Sequence, residues 1–417
     1  MLMPLKPAIQ ETTAASQPRG AVASLLPIMA VVALSFLILG FVLPVLPLYV
    51  HLELGFGAFM VGLVTGSQFL AAVLSRVWAG HVADRLGPKR AVLGGGLLAA
   101  AASGGLCLLS LAVTARPWLS VSVLLAGRTI LGAAESFIIT GAAAWGLAIS
   151  GPQQAGRVIA WVGMAMFAAM ALGAPLGMAL YAAGGFAAVA IATVIIPLLT
   201  LLVVAPLPPA AVLKAVPSGL LQVVSAVWLP GFGAALSSVG YGAVLAFGAL
   251  LAHEGGWSPV WLIFTAFACA LVAARLFFGQ LPDRLGGAKV AFGSVIIEAL
   301  GLALLWLAPG PITAAVGAAL TGFGYALVYP GLGVEAVGRA PPQSRGLAMG
   351  AYTVFLDVAI GFGGPALGLI AAAHGVSAAF LVAAILVFSS AGIALRLVAS
   401  PIRATRAPDP AADGSRS

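Results

Sequence analysis

The sequence predicts an all-helical integral membrane protein, with twelve transmembrane helices in two six-helix halves. Three observations carry that expectation: an extreme apolar composition, twelve apolar segments of spanning length, and internal matches that relate one half of the chain to the other.

Of 417 residues, 62% are hydrophobic and only 7% are charged, and the mean hydropathy is +1.14. A soluble domain of that balance would expose large apolar patches and aggregate. The 53 glycines and 27 prolines fit the same class, because close packing and broken helices are tolerated within a bilayer.

The apolar segments fall at 25–49, 58–80, 90–113, 119–148, 156–182, 186–206, 221–252, 258–281, 289–308, 311–337, 346–372 and 376–398. Lipid leaves the backbone only helices or closed barrels. These runs do not alternate apolar with polar residues, so they are assigned as helices. The organisation that follows is a tail (1–24), a first half (25–206), a linker (207–220), a second half (221–398) and a second tail (399–417). The first tail carries Lys6, Arg19 and prolines but no short apolar core with a cleavage site. The first helix is therefore expected to serve as an uncleaved signal anchor.

An even number of spans puts both termini on one side. With that side inside, fifteen of the 19 Lys and Arg residues fall in inner loops or tails, and only Arg116 falls in an outer loop. Arg76, Arg128 and Arg275 lie within helices or very near their ends. This bias places both termini in the cytoplasm, in a bacterial inner membrane. It also explains the net charge of +8 without nucleic acid as a partner. Cys107 and Cys269 lie in apolar runs with no zinc or disulfide spacing, and read as small buried hydrophobes. His51, His81, His253 and His374 map to loops or helix ends without metal-ligand spacing. No metal, cofactor or phosphate-binding loop is expected, and the chain is read as a monomer.

The chain repeats itself. Residues 75–90 read SRVWAGHVADRLGPKR and residues 274–289 read ARLFFGQLPDRLGGAK. At an offset of 199, Arg76 aligns with Arg275, Gly80 with Gly279, Asp84 with Asp283, Arg85 with Arg284 and Gly87 with Gly286. At an offset of 190, Pro152, Gln153, Gly156, Gly173 and Pro175 align with Pro342, Gln343, Gly346, Gly363 and Pro365. Parallel repeats about an axis normal to the membrane produce this pattern. In the first loop Gly80 is expected to permit close helix contact, Asp84 to accept charge-assisted bonds, Gly87 to allow a tight turn, and Arg85, Lys89 and Arg90 to hold the loop inside.

That loop, with its weaker copy at Gly279–Lys289, resembles the cytoplasmic signature of the major facilitator superfamily. The resemblance covers residues 25 to 398 and implies a transporter, not an enzyme. It also implies that Asp84 belongs to a cytoplasmic lock that closes when the outer side is open. Leu124, Gly127, Arg128 and Gly132 resemble the fourth-helix motif of the drug:proton antiporter branch. An arginine inside an apolar helix is a functional candidate, with a structural ion pair as the alternative. Gly173, Pro175 and Gly177 resemble the fifth-helix antiporter motif, except that Ala174 stands where glycine is usual. The copy at Gly363, Gly364, Pro365 and Gly368 keeps both glycines, so the pattern does not say which half carries the motif. Small residues beside proline also make a bendable packing face in any transmembrane helix. The stretch Phe41–Val50 is similar to a bacterial subgroup labelled arabinose-efflux-like.

Four carboxylates remain in or near helices. Glu335 lies near an inner helix end and is expected to be hydrated. Glu135, Glu298 and Asp357 lie near the midplane, where transporter sites sit. Each serves either a proton relay or a buried structural pair. Arg128 and Glu135 are seven residues apart and share a helix face, about 20° and ~10.5 Å apart. Burial disfavours an ionised carboxylate and a nearby guanidinium favours it, so alternating access can load and release a proton. Glu135 and Asp357 are both candidates for that role. The leading reading is efflux of a small, amphiphilic organic solute in exchange for protons. Uptake by proton symport, a membrane-embedded lipid enzyme and a non-transporting scaffold or receptor are the alternatives.

The basic-residue bias generates a direct expectation. A reporter fused after Ser417 reads as cytoplasmic, and one inserted beside Arg116 reads as external. A C-terminus on the outer face would overturn the topology.

Overall fold

The structure is a computed structural model and describes residues 18–150, 155–209, 220–340 and 344–400. The expected tails, most of the linker and the Pro152, Gln153, Pro342 and Gln343 matches lie outside the described residues. The helices are α1 (Pro18–Leu48), α2 (Ala58–Leu86), α3 (Pro88–Ala112) and α4 (Pro117–Ser150). A continuous run, Ala155–Val204, leaves helical geometry at Gly184 and Gly185 and therefore holds two spans, α5 and α6. The second half contains α7 (Leu220–Glu254), α8 (Leu262–Phe278), α9 (Gly287–Trp306), α10 (Pro311–Arg339), α11 (Arg345–His374) and α12 (Val376–Ala399).

Ten helices are long and apolar enough to cross a membrane, one of them the run that contains α5 and α6. Counting that run as two and adding the 17-residue α8 gives the twelve expected spans among the described residues. Leu74, Val77, Leu202 and Phe277 project from the perimeter with no protein cover. Such side chains are stable against lipid and not against water. Cys269 is a correction to the sequence reading, because it is exposed on this perimeter while Cys107 is buried.

Alternating spans bring both described chain ends to one end of the bundle, here the terminal end; the other is the far end. At the far end the two halves are sealed backbone to backbone. A Cβ on Gly364 of α11 would lie 2.5 Å from the carbonyl oxygen of Gly62 on α2, and Gly66 and Gly368 make similar approaches to Gly361 and Ala58. The two copies of the glycine–proline pattern pack differently. The Gly364–Pro365 copy packs across the halves, whereas Gly173 and Gly177 pack on Gly40 and Phe41 of α1, within the first half. The far portions of α1 and α7, residues 38–50 and 237–252, are continuously buried where these helices meet.

At the terminal end the loop motif is not a loop. Gly80 to Leu86 continue α2, which stops only at Gly87, where φ is +95°. The copy behaves differently: α8 stops at Phe278 and a separate short helix spans Leu281–Leu285 before Gly286, at φ +96°. The repeat puts Pro282 where the first half has Ala83. Proline has no N–H to donate, so the second stalk is broken where the first runs on. A second correction concerns Gly80, which makes no close helix contact; a Cβ there would meet nothing within 4 Å. Lys89 donates to the carbonyls of Ala205 (2.6 Å) and Leu207 (2.5 Å), closing the end of α6. A cation is favourable at that helix terminus.

The far-end seal should depend on the missing side chain. Gly364→Ala is expected to push α2 and α11 apart and to open the far end. A cysteine at Leu43, in a background without Cys107 and Cys269, should then react several-fold faster with an impermeant maleimide added from the far side. Unchanged labelling would remove the seal from the fold's energetics.

Candidate functional site

Between the halves lies a cavity of about 270 Å³, near the lower end of the ~300–1,000 Å³ range of small-molecule sites. Its walls come from α1, α2, α4 and α5 of the first half and α7, α8, α10 and α11 of the second. None of its lining residues comes from α3, α6, α9 or α12, which support the others from outside. Most of the wall is apolar, including Phe36, Leu39, Met166, Phe167 and Met170. Five charged side chains interrupt it: Arg76, Arg128, Arg275, Glu135 and Asp357.

Asp357 on α11 forms an ion pair with Arg76 on α2. It is the one ion pair that joins the halves among the described residues. Both side chains keep partial exposure, 14% and 23%, because they face the cavity. Glu135 accepts a 2.6 Å hydrogen bond from Gln68 Nε2. The sequence supports that contact locally, because Gly132 lets the backbone of Gln68 press directly on α4. Arg128 is buried and makes no hydrogen bond to Glu135; its Nε has no partner. The shared helix face is therefore present, but Glu135 turns to α2 instead of to Arg128.

Glu298 is a correction. It sits at the expected depth, but on the supporting helix α9, and it does not line the cavity. It is fully buried, receives the hydroxyl of Ser237 at 2.5 Å, and has one oxygen without a partner. Depth alone does not fix which way a helix face points. Glu335 is likewise not hydrated: it is buried, pairs with Arg339 and accepts the N–H of Ala288 at 3.1 Å, in the first turn of α9. A carboxylate at a helix N-terminus satisfies one of its free donors. At the terminal end Asp84, Arg85, Arg90 and Asp283 make no hydrogen bond or ion pair among the described residues. Arg284 donates to Gln280 at 2.7 Å.

Arg275 lines the cavity as well, although the sequence pattern does not single it out as a site residue. Arg275 has its guanidinium 4.8 Å from the centre of the Phe167 ring and 5.9 Å from that of Tyr329. Arg275 is the repeat partner of Arg76, and at the offset of 190 Phe167 is the repeat partner of Asp357. The same operation carries the Gly66–Gly361 contact onto Thr265 and Ala171, which are joined by a 3.3 Å hydrogen bond. The two seams between the halves are thus copies of one another. In one an arginine meets a carboxylate, and in the other an arginine meets an aromatic ring. Helices α4 and α10 both begin at a proline, Pro117 and Pro311, and Glu135 and Tyr329 occupy the same position counted from it. The second half therefore has tyrosine where the first has glutamate. Tyr241 and Tyr325 stack 4.9 Å apart on the same wall.

Comparison with known proteins agrees with this architecture. The family model described as Major Facilitator Superfamily matches residues 28–261 and 231–417. A Salmonella typhimurium protein described as an uncharacterized MFS-type transporter is 42% identical over 357 residues, covering 86% of this chain and 92% of its own length. A Burkholderia mallei protein of the same description is 42% identical over 384 residues, covering 91% and 94%. Among solved structures, the human organic anion transporter MFSD10 has a TM-score of 0.65 at 17% identity, covering 91% of this chain and 100% of that one. A mutant of the nucleoside transporter NupG has a TM-score of 0.72 at 17% identity, covering 89% and 99%. At that identity the likeness shows the fold alone.

The ion pair across the halves makes a measurable claim on stability. Arg76→Ala and Asp357→Ala should each destabilise the protein, and the double variant should cost less than their sum. A coupling of about 1–3 kcal/mol is expected in SDS titration from mixed micelles. That is below the ~3–5 kcal/mol lost on breaking a fully buried pair, because water in the cavity screens this one. Additive effects would mean that the pair does not hold the halves together.

Proposed function

The chain belongs to the major facilitator superfamily and is a multi-pass membrane transporter, and on that premise we propose that it exports a small organic solute in exchange for protons. In this reading the terminal end is cytoplasmic, the membrane is a bacterial inner membrane, and the structure is the state open to the cytoplasm. The glycine seal at the far end and the uncontacted Gly80 and Asp84 at the terminal end support that assignment.

One observation carries the coupling: the Arg76–Asp357 pair spans the seam that alternating access must open and close. When the halves rock and the outer side opens, the two charges separate and Asp357 meets outside water. A proton neutralises it there, which avoids an unpaired carboxylate in a site of low dielectric. Rocking back returns the guanidinium, the proton leaves to the cytoplasm, and the ion pair re-forms. Glu135, held by Gln68 on the same helix as Arg76, takes part as the second proton acceptor. Solute and proton then occupy the cavity in alternate halves of the cycle. Asp84 serves the opposite state, locking the cytoplasmic side while the outside is open. The same residues would also serve proton-driven uptake; export is preferred because the fourth- and fifth-helix motifs resemble those of antiporters.

Proteoliposomes carrying the wild type should acidify or alkalinise their lumen when solute is added, in the sense of exchange. Glu135→Gln and Asp357→Asn should each reduce the proton flux, and the double variant should abolish it while solute counterflow at equal pH persists. A double variant that responds to an imposed pH gradient as the wild type does would end the coupling scheme. Proton movement in the same direction as solute would convert it to symport.

A further inference from the structure

Three arginines and two carboxylates line the cavity, and the imbalance is localised. Both carboxylates lie on the side of Arg76 and Arg128: Asp357 is paired with Arg76, and Glu135 shares α4 with Arg128 and is bonded to Gln68 of α2, the helix of Arg76. Arg275 stands apart. Among the described residues it makes no ion pair, and its guanidinium lies over the rings of Phe167 and Tyr329. The ring of Phe167 occupies the place that a carboxylate fills in the other seam. An aromatic face attracts a cation without neutralising it. A guanidinium left in a largely apolar cavity therefore retains an unfilled demand for one negative charge.

We propose that the transported solute is a small amphiphilic organic monoanion whose charged group is bound by Arg275. The inference rests on the transport reading above and deepens it by naming the substrate class. The guanidinium offers a planar set of donors that suits a carboxylate or a similar oxyanion. Tyr241 lines the cavity and makes no side-chain hydrogen bond among the described residues, so its hydroxyl is a second free donor. The apolar body of the solute lies against Phe36, Leu39, Met166 and Met170. A dianion is disfavoured, because three arginines against two carboxylates leave a surplus of one positive charge among the described lining residues. A cation is disfavoured by Arg275 itself.

The test uses matched probes on the purified full-length protein in nanodiscs: naphthaleneacetate, its neutral amide and naphthylmethylamine, with phenylbutyrate, its amide and phenylbutylamine as a second set. Chloride and phosphate are the charge-only controls. The acids should bind roughly tenfold or more tightly than their amides, and the amines should not compete. Arg275→Gln should abolish that preference, and Arg275→Lys should retain it at lower affinity. Phe167→Asp supplies the missing carboxylate and should abolish acid binding in a protein that stays folded, as judged by its melting temperature. An amide or amine that binds as tightly as its acid, wild-type protein that binds neither acid, an unaltered acid preference in Arg275→Gln, or equal competition by chloride would overturn the proposal. Counterflow of the same probes in proteoliposomes separates the two readings. Acid binding without proton-linked flux defeats the exchange scheme and leaves the anion site standing, whereas flux of the amine but not the acid does the reverse.

Discussion

A guanidinium and a carboxylate in a low-dielectric cavity are each costly alone and tolerable together. Arg76 and Asp357 make that pair across one of the two seams between the halves. Much of the surrounding structure follows from the need to bring them together. The glycines of α2 and α11 let the two backbones touch, so that side chains a turn or more below them can meet. The supporting helices α3, α6, α9 and α12 keep the cavity walls in place without entering the cavity. Both side chains keep partial exposure to the cavity, which makes the pair weaker than a fully buried one.

The spans were legible because lipid imposes a length and a composition that few other environments require. The repeat was legible because Asp84, Arg85 and Gly87 recur as a block at one offset. The site was only partly legible. Hydropathy ends the second apolar segment at residue 80, which puts Arg76 near a helix end. Helix α2 runs to Leu86, so Arg76 is well inside it. Hydropathy marks where apolar residues stop, and an amphiphilic stalk continues a helix beyond that point. The signal for both arginines is the offset of 199 itself, which pairs two intramembrane cations. Glu298 was misplaced for the opposite reason. Its depth was right, but a helix hydrophobic all round gives no azimuth, and α9 turns that residue toward Ser237.

The comparison of the two halves is more informative than either half alone. One duplicated framework has kept its backbone contacts and exchanged its chemistry: carboxylates in one seam, aromatic rings in the other. The exchanges at Asp357 and Phe167, and at Glu135 and Tyr329, all move negative charge to one side of the cavity. The result is a polarised chamber, with a carboxylate-bearing wall and a cationic, aromatic wall that face the same space. Such a polarity needs no additional domain, only unequal drift of two copies.

The unequal stalks have a mechanical consequence. From Arg76 to Leu86 the first stalk is an unbroken rod of about 15 Å, so each degree of tilt about the ion pair moves its tip by about 0.3 Å. The second stalk has a joint three residues beyond Arg275, and Pro282 keeps that joint from healing. Torque applied at the centre therefore reaches one loop as displacement, whereas at the other it is dissipated in bending. The molecule is a crank with one stiff arm and one slack arm, and the stiff arm ends in Asp84.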